Sequence, residues 1–61
     1  MHPSTRASNS EREAVVERLA RAMQDGRLLP EEFDERTARA YAARTHGELA
    51  ELVRDLPGHL W

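Results

Sequence analysis

The sequence predicts an all-α protein, a compact mini-domain built from three short helices. Apolar residues recur at helical spacing in three separate segments, and a helix start signal precedes each of them. No segment shows the alternation with a period of two that a half-buried strand requires. Because only a few residues join the segments, neighbouring helices are expected to pack directly on one another.

The first helix is predicted over residues 9–25. Ser8 and Glu11 have the spacing of a capping box, in which each side chain binds a backbone N–H group of the other residue. A second box begins two residues later, so the start remains open between them. Gly26 stands where a left-handed residue would end the helix. The apolar side chains of this segment fall on one arc: Val15, Val16, Leu19, Ala22 and Met23.

The second helix is predicted over residues 30–44. Pro30 suits the first turn of a helix, where its missing N–H group would have no partner. Three carboxylates follow at once, and they complement the positive end of the helix dipole. The apolar arc consists of Phe33, Thr37, Ala40 and Tyr41, and the spacing predicts two surface ion pairs, Glu32–Arg36 and Glu35–Arg39.

The third helix is predicted over residues 46–56. Thr45 and Glu48 form another capping box, and Pro57-Gly58 provides the stop signal. The apolar arc of this helix is Leu49, Leu52, Val53 and Leu56. Taking the three arcs together, we predict one core that contains Leu19, Met23, Phe33, Tyr41, Leu49, Leu52 and Val53. Leu28, two residues after Gly26, is also interpreted as a core residue.

The domain organisation follows from the same pattern. Residues 1–7 are polar, contain a proline and lack periodicity, so they are expected to form a flexible tail. Residues 8–57 form the helical domain, and residues 58–61 are its C-terminal end or the start of a linker. Trp61 has no obvious burial partner and is interpreted as part of that end rather than as an anchor for a partner.

The inventory of reactive side chains argues against an enzyme. Cysteine is absent, which excludes disulfides, thiolate metal sites and cysteine nucleophiles. The three histidines, His2, His46 and His59, have no metal-binding spacing and are interpreted as surface residues. Paired carboxylates lie in first helical turns, where capping explains them, and 61 residues leave little room for a catalytic cleft. We therefore predict no catalytic, cofactor-binding or metal-binding residues, and no cofactor.

The charge balance argues against nucleic acid and against membrane insertion. The chain has 9 basic and 11 acidic residues, a net charge of −2 and a pI near 5.9, whereas nucleic-acid binders usually present a basic stripe. The alternative of a small helix-turn-helix-like regulator stays open, because Arg12, Arg18 and Arg21 could line one flank of the first helix. No apolar run approaches the ~20 residues that span a bilayer, so a cytoplasmic location is expected.

Five stretches, in order, resemble the actinobacterial domain of unknown function 1707, which is itself similar to the short C-terminal (SHOCT) helical domains. They are residues 25–28, 31–36, 42–45, 47–49 and 55–57. The resemblance implies an N-terminal helical domain of small actinobacterial proteins, many of which continue into transmembrane segments, and it implies no catalytic residues. If the natural chain continues in that way, the domain would lie on the cytoplasmic side of the membrane. Leu29 departs from the family pattern, which often has Ser or Thr there, so the second helix lacks a side-chain cap.

The function expected from these observations is a non-catalytic helical module that binds another protein or a second copy of itself. A homodimer is expected because so small a core, without disulfides, gains from additional burial.

Overall fold

In a computed structural model, residues 6–56 are described, and they form three helices in the predicted order. The helices are α1 (Asn9–Gln24), α2 (Pro30–Ala42) and α3 (His46–Val53). Each helix packs against the other two. The all-α, three-helix prediction is therefore confirmed, although the helices end one, two and three residues earlier than the apolar periodicity indicates.

The ends of α1 form as the sequence predicts. The Ser8 Oγ accepts from the N–H of Glu11 at 3.2 Å, and Glu11 Oε1 accepts from the N–H of Ser8 at 2.7 Å, which completes the first capping box. At the other end, Gly26 has a φ of +77°, and the N–H groups of Gly26 and Arg27 donate to the carbonyls of Met23 and Ala22. This is a Schellman motif, which satisfies the last carbonyls of the helix and turns the chain back toward α2.

The starts of α2 and α3 use their acidic residues differently. The side chain of Leu29 does not cap α2, as the sequence predicts. The Glu32 Oε1 accepts from the N–H of Leu29 at 2.9 Å instead. At α3, the Thr45 Oγ1 accepts from the N–H of Glu48 at 3.3 Å. The second bond of the predicted capping box differs, because the Glu48 carboxylate accepts from the N–H of Arg44 and from the Thr45 hydroxyl. Both helices therefore begin with a carboxylate bound to backbone just before the first turn.

The core lies between the three helices, and its buried apolar residues are four alanines, four leucines and one valine. Its buried apolar residues are Ala7, Val15, Leu19, Ala22, Leu28, Ala40, Ala43, Leu49 and Leu52, with Val16, Met23, Phe33, Val53 and Leu56 half-buried against them. The assignment of Tyr41 to the core was wrong, since that residue is 58% exposed. Ala40 occupies the centre of the buried face of α2, and the next residue is rotated by about 100° toward its edge.

Residues 6 and 7 are attached to the segment between α2 and α3. Arg6 forms an antiparallel bridge with Thr45, and the N–H of Ala7 donates to the carbonyl of Arg44 at 3.0 Å. Ala7 is also buried in the core. These two residues belong to the segment that composition predicts to be a flexible tail, whereas the rest of that segment, together with Pro57-Gly58 and Trp61, lies outside the described residues.

Candidate interaction surfaces

A buried contact between His46 and Glu11 joins the start of α3 to the start of α1. The His46 Nε2 lies 2.6 Å from Glu11 Oε2, and His46 is only 5% exposed. The interpretation of His46 as a surface residue was therefore wrong. The signal was present in the sequence, because His46 precedes Leu49 by three residues and so lies on the apolar arc of α3.

The two oxygens of the Glu11 carboxylate have different partners: Oε1 accepts from the N–H of Ser8, and Oε2 contacts His46. Its pKa is lowered first by the hydrogen bond from the backbone N–H of Ser8, with smaller contributions from the charges of His46 and Arg12. A hydrogen bond to the ionised form favours that form. The Glu11–His46 contact therefore fixes two helix ends relative to each other, which is a structural role.

Two arginines connect elements that are distant in sequence. The Arg12 Nε donates to the carbonyl of Ala43 at 3.0 Å. The Arg36 guanidinium donates to the carbonyl of Leu52 at 2.9 Å and to both Asp55 oxygens at 2.8 and 3.0 Å, and this lowers the pKa of Asp55. Glu32, the predicted ion-pair partner of Arg36, instead accepts from the N–H of Leu29 at the start of α2. Arg12 is thus committed to the fold and is no longer available for the basic flank predicted on α1.

A groove of about 440 Å³ lies between α2 and the end of α3, and it is lined by charges of both signs. These charges pair with each other within the groove. Besides the Arg36–Asp55 pair, Arg39 and Glu35 are 2.9 Å apart, as predicted, and Arg54 and Glu51 are 3.2 Å apart. The groove therefore presents a largely neutralised surface.

Metal-binding geometry is absent from the part of the chain that the structure describes. Within residues 6–56, no group of three or more His, Cys, Asp or Glu side chains could hold a metal ion. His2 and His59 lie outside these residues. Over the same residues, no helix is both long enough and apolar enough to cross a membrane.

An exposed aromatic residue marks the edge between α1 and α2. Tyr41 and the half-buried Val16 line a shallow groove of about 390 Å³ together with the exposed carboxylates of Glu13 and Glu17. Neither carboxylate forms an ion pair with another described residue. We call these four residues the Tyr41 surface. It combines an uncovered apolar centre with an unneutralised acidic border.

The fold and these contacts define the class of protein: a small three-helix domain whose buried and half-buried polar side chains connect the helices. The DUF1707 SHOCT-like domain family matches residues 5–57, and the chain belongs to this family. The resemblance seen in the sequence is therefore confirmed, and it extends over nearly the whole chain.

Two proteins of Mycobacterium tuberculosis, from the strains CDC 1551 / Oshkosh and H37Rv, are similar to this chain. Both are described as uncharacterized, and each is 47% identical over 55 residues. The match covers 90% of this chain but only 28% of the length of each relative. No solved structure matches the chain significantly.

Proposed function

We propose that this chain is a non-catalytic interaction domain that binds a protein partner through the Tyr41 surface. The observation that carries the proposal is the exposure of Tyr41, the largest side chain on α2, in a domain whose own core is small. Tyrosine is enriched at protein interfaces because its ring supplies apolar area while its hydroxyl still finds a hydrogen-bond partner.

The border of the Tyr41 surface indicates the chemistry of its partner. Glu13 and Glu17 are four residues apart on α1, so both carboxylates lie on the same side of the helix. An interface that covered Tyr41 would also desolvate these carboxylates in part, and an unpaired buried charge is costly. A partner with an apolar side chain flanked by lysine or arginine would satisfy both parts of the surface.

The partner is another protein or a second copy of the chain. Because the domain corresponds to 28% of its mycobacterial relatives, further segments of such a longer protein are among the candidates. A symmetric homodimer, as predicted from the sequence, is one form of this proposal. The four alanines of the core support it, because they bury little apolar area and an interface between two copies would bury more. A cytoplasmic location remains part of the proposal.

The first experiment tests self-association. Thermal melts and sedimentation over a hundredfold concentration range would compare the wild-type chain with Tyr41→Ser and with Leu29→Ser. Leu29 is the matched control, because it is 61% exposed and lies outside the Tyr41 surface. If the partner is a second copy, the melting midpoint of the wild type and of Leu29→Ser should rise with concentration, whereas that of Tyr41→Ser should not.

The second experiment tests a different protein as the partner. A photo-crosslinking side chain at position 41 should capture one defined protein that the same side chain at position 29 does not capture. Purified Tyr41→Ser should then bind that protein more weakly than purified Leu29→Ser does. A species of 7.0 kDa at every concentration, together with identical crosslinking from both positions, would contradict the proposal.

The alternative is a small helix-turn-helix-like nucleic-acid-binding regulator. Arg18 and Arg21, two arginines of the predicted basic flank, form no ion pair with other described residues. Their charges are therefore available to contact phosphate groups, which supports this alternative. If the interaction proposal holds, binding to random-sequence duplex DNA should be weaker than the roughly 10⁻⁴ to 10⁻⁶ M of non-specific binders. Micromolar binding that weakens steeply with salt would favour the regulator instead.

A further inference from the structure

Three arginines, none of which has a polar side-chain partner among residues 6–56, line one cleft at the C-terminal end of α1. Arg18, Arg21 and Arg27 share this cleft with Asp25, Ala22 and Leu56. None of the three guanidinium groups forms an ion pair or a side-chain hydrogen bond with another of the residues 6–56. The arginines on α2 and after α3 behave differently: Arg36, Arg39 and Arg54 each have a carboxylate partner.

Arg18 is the least satisfied of the three. Its Nη2 atom is buried from solvent and has no hydrogen-bond acceptor within the part of the chain that the structure describes. A buried donor without an acceptor destabilises a fold, and more so when it carries charge. The helix dipole explains why arginine is favourable in the last turn of α1 at Arg21, but it supplies no acceptor for Arg18.

We propose that this arginine cleft binds the carboxylate group of an acidic segment in a partner protein. Guanidinium groups donate to carboxylates through paired, charge-assisted hydrogen bonds. An apolar side chain next to the bound carboxylate would contact the half-buried Leu56. The inference rests on the proposed function in that the domain binds proteins, but it uses a surface separate from the Tyr41 surface.

The size and charge of the arginine cleft select the ligand. Its volume of about 30 Å³ suits a group as small as a carboxylate. Three arginines and one aspartate give it a net charge of +2 (3 − 1). Asp25 weakens the local field, which favours a singly charged carboxylate over a doubly charged phosphate.

The test uses NMR of the arginine Nε–Hε groups of the intact chain with defined probes at constant ionic strength. The probes are a capped peptide with one glutamate beside one leucine, the same peptide with glutamine in place of glutamate, sodium acetate, inorganic phosphate, and a random-sequence DNA duplex. We expect the glutamate peptide to shift the resonances of Arg18, Arg21 and Arg27. Acetate should shift the same resonances at higher concentration, and the glutamine peptide should not shift them.

Matched variants then separate the cleft from general charge. Arg21→Gln and Arg27→Gln should each weaken binding of the glutamate peptide by about tenfold, the effect of losing one charge-assisted hydrogen bond. Arg39→Gln removes the same charge from an exposed arginine that already has a partner, and it should leave binding unchanged. Tyr41→Ser should also leave it unchanged, so failure at one surface is distinguishable from failure at the other.

Several results would overturn the carboxylate proposal. One is equal binding of the glutamate and glutamine peptides, and another is equal loss in Arg27→Gln and Arg39→Gln. Tighter binding of phosphate or of DNA than of the glutamate peptide would assign the cleft to phosphate instead. Because Arg21 and Arg27 are exposed, their variants are expected to fold, and the melting curve of each would verify this.

Discussion

Leu49 holds α3 in place, and its truncation should nearly unfold the domain. Its side chain is fully buried and is among the largest in the core. The helix that carries it has only eight residues, too few to be stable in water without packing. Leu49→Ala would therefore remove much of what attaches α3 to the other two helices.

The expected magnitude follows from burial. Truncation of a fully buried leucine to alanine lowers the free energy of unfolding by about 2–5 kcal/mol, depending on how far the cavity collapses. A single core in a chain of this size seldom supplies more than about 3–5 kcal/mol in total. We therefore expect Leu49→Ala to melt at least about 8 °C below the wild type, since about 1 kcal/mol shifts the midpoint of so small a domain by roughly 4–8 °C.

The assay is thermal unfolding followed by circular dichroism at 222 nm, with Leu29→Ala as the matched control. Leu29 undergoes the same chemical change but is 61% exposed, so its loss should change the free energy of unfolding by no more than about 0.5 kcal/mol. Equal midpoints for the two variants would refute the assignment of Leu49 to the centre of the core. A wild-type midpoint for Leu49→Ala would refute it as well.

Three smaller changes test the helix ends and the Arg36–Asp55 contact. Ser8→Ala removes the cap of α1 and should lower the free energy of unfolding by about 0.5–2 kcal/mol in urea titrations, whereas an unchanged value would mean that the cap contributes nothing. Gly26→Ala should lower it by roughly 1–2 kcal/mol, because a Cβ there meets no atom within 4 Å and only the φ of +77° is strained; a neutral effect would show that the turn relaxes freely. The pKa of Asp55 in the folded state is lowered from its usual 3.8, so above that pH the wild type should be more stable than Asp55→Asn, by about 0.2–1 kcal/mol for so exposed a pair. This difference should disappear as the pH falls through the folded-state pKa. A difference in the free energy of unfolding that persists at pH 2 would contradict its ionic origin.

The helices themselves were predictable because their signals are local. The Ser8–Glu11 capping box, Pro30 and Gly26 lie where the sequence places them, and the apolar arcs identify most of the buried residues. The errors arise from contacts between distant residues. Leu56 continues the apolar arc of α3, but Arg36 donates to the carbonyl of Leu52, and the N–H of Leu56 turns to Val53 instead.

The end of α2 and the candidate surfaces depended on similar distant contacts. Ala43 leaves the helix for an extended conformation, in which its carbonyl accepts from Arg12, 31 residues earlier. A helical wheel places Tyr41 on the apolar arc of α2, but it does not show that the buried face is centred on Ala40. The exposure of Tyr41 therefore could not be predicted from the sequence. The arginine cleft was equally hidden, since it brings the last turns of α1 to the segment after α3.

The attachment of Ala7 to Arg44 has a consequence for the order of folding. This contact and the one between Glu11 and His46 each close a loop of more than thirty residues, so each carries a larger entropic cost than the local α1–α2 hairpin. We expect the hairpin to form in the transition state, and the two closures to follow. Substitutions at Ala7 or His46 should then accelerate unfolding while leaving the folding rate nearly unchanged. Residues 6 and 7, just before α1, would thus help to determine the unfolding rate, and with it the lifetime of the folded domain.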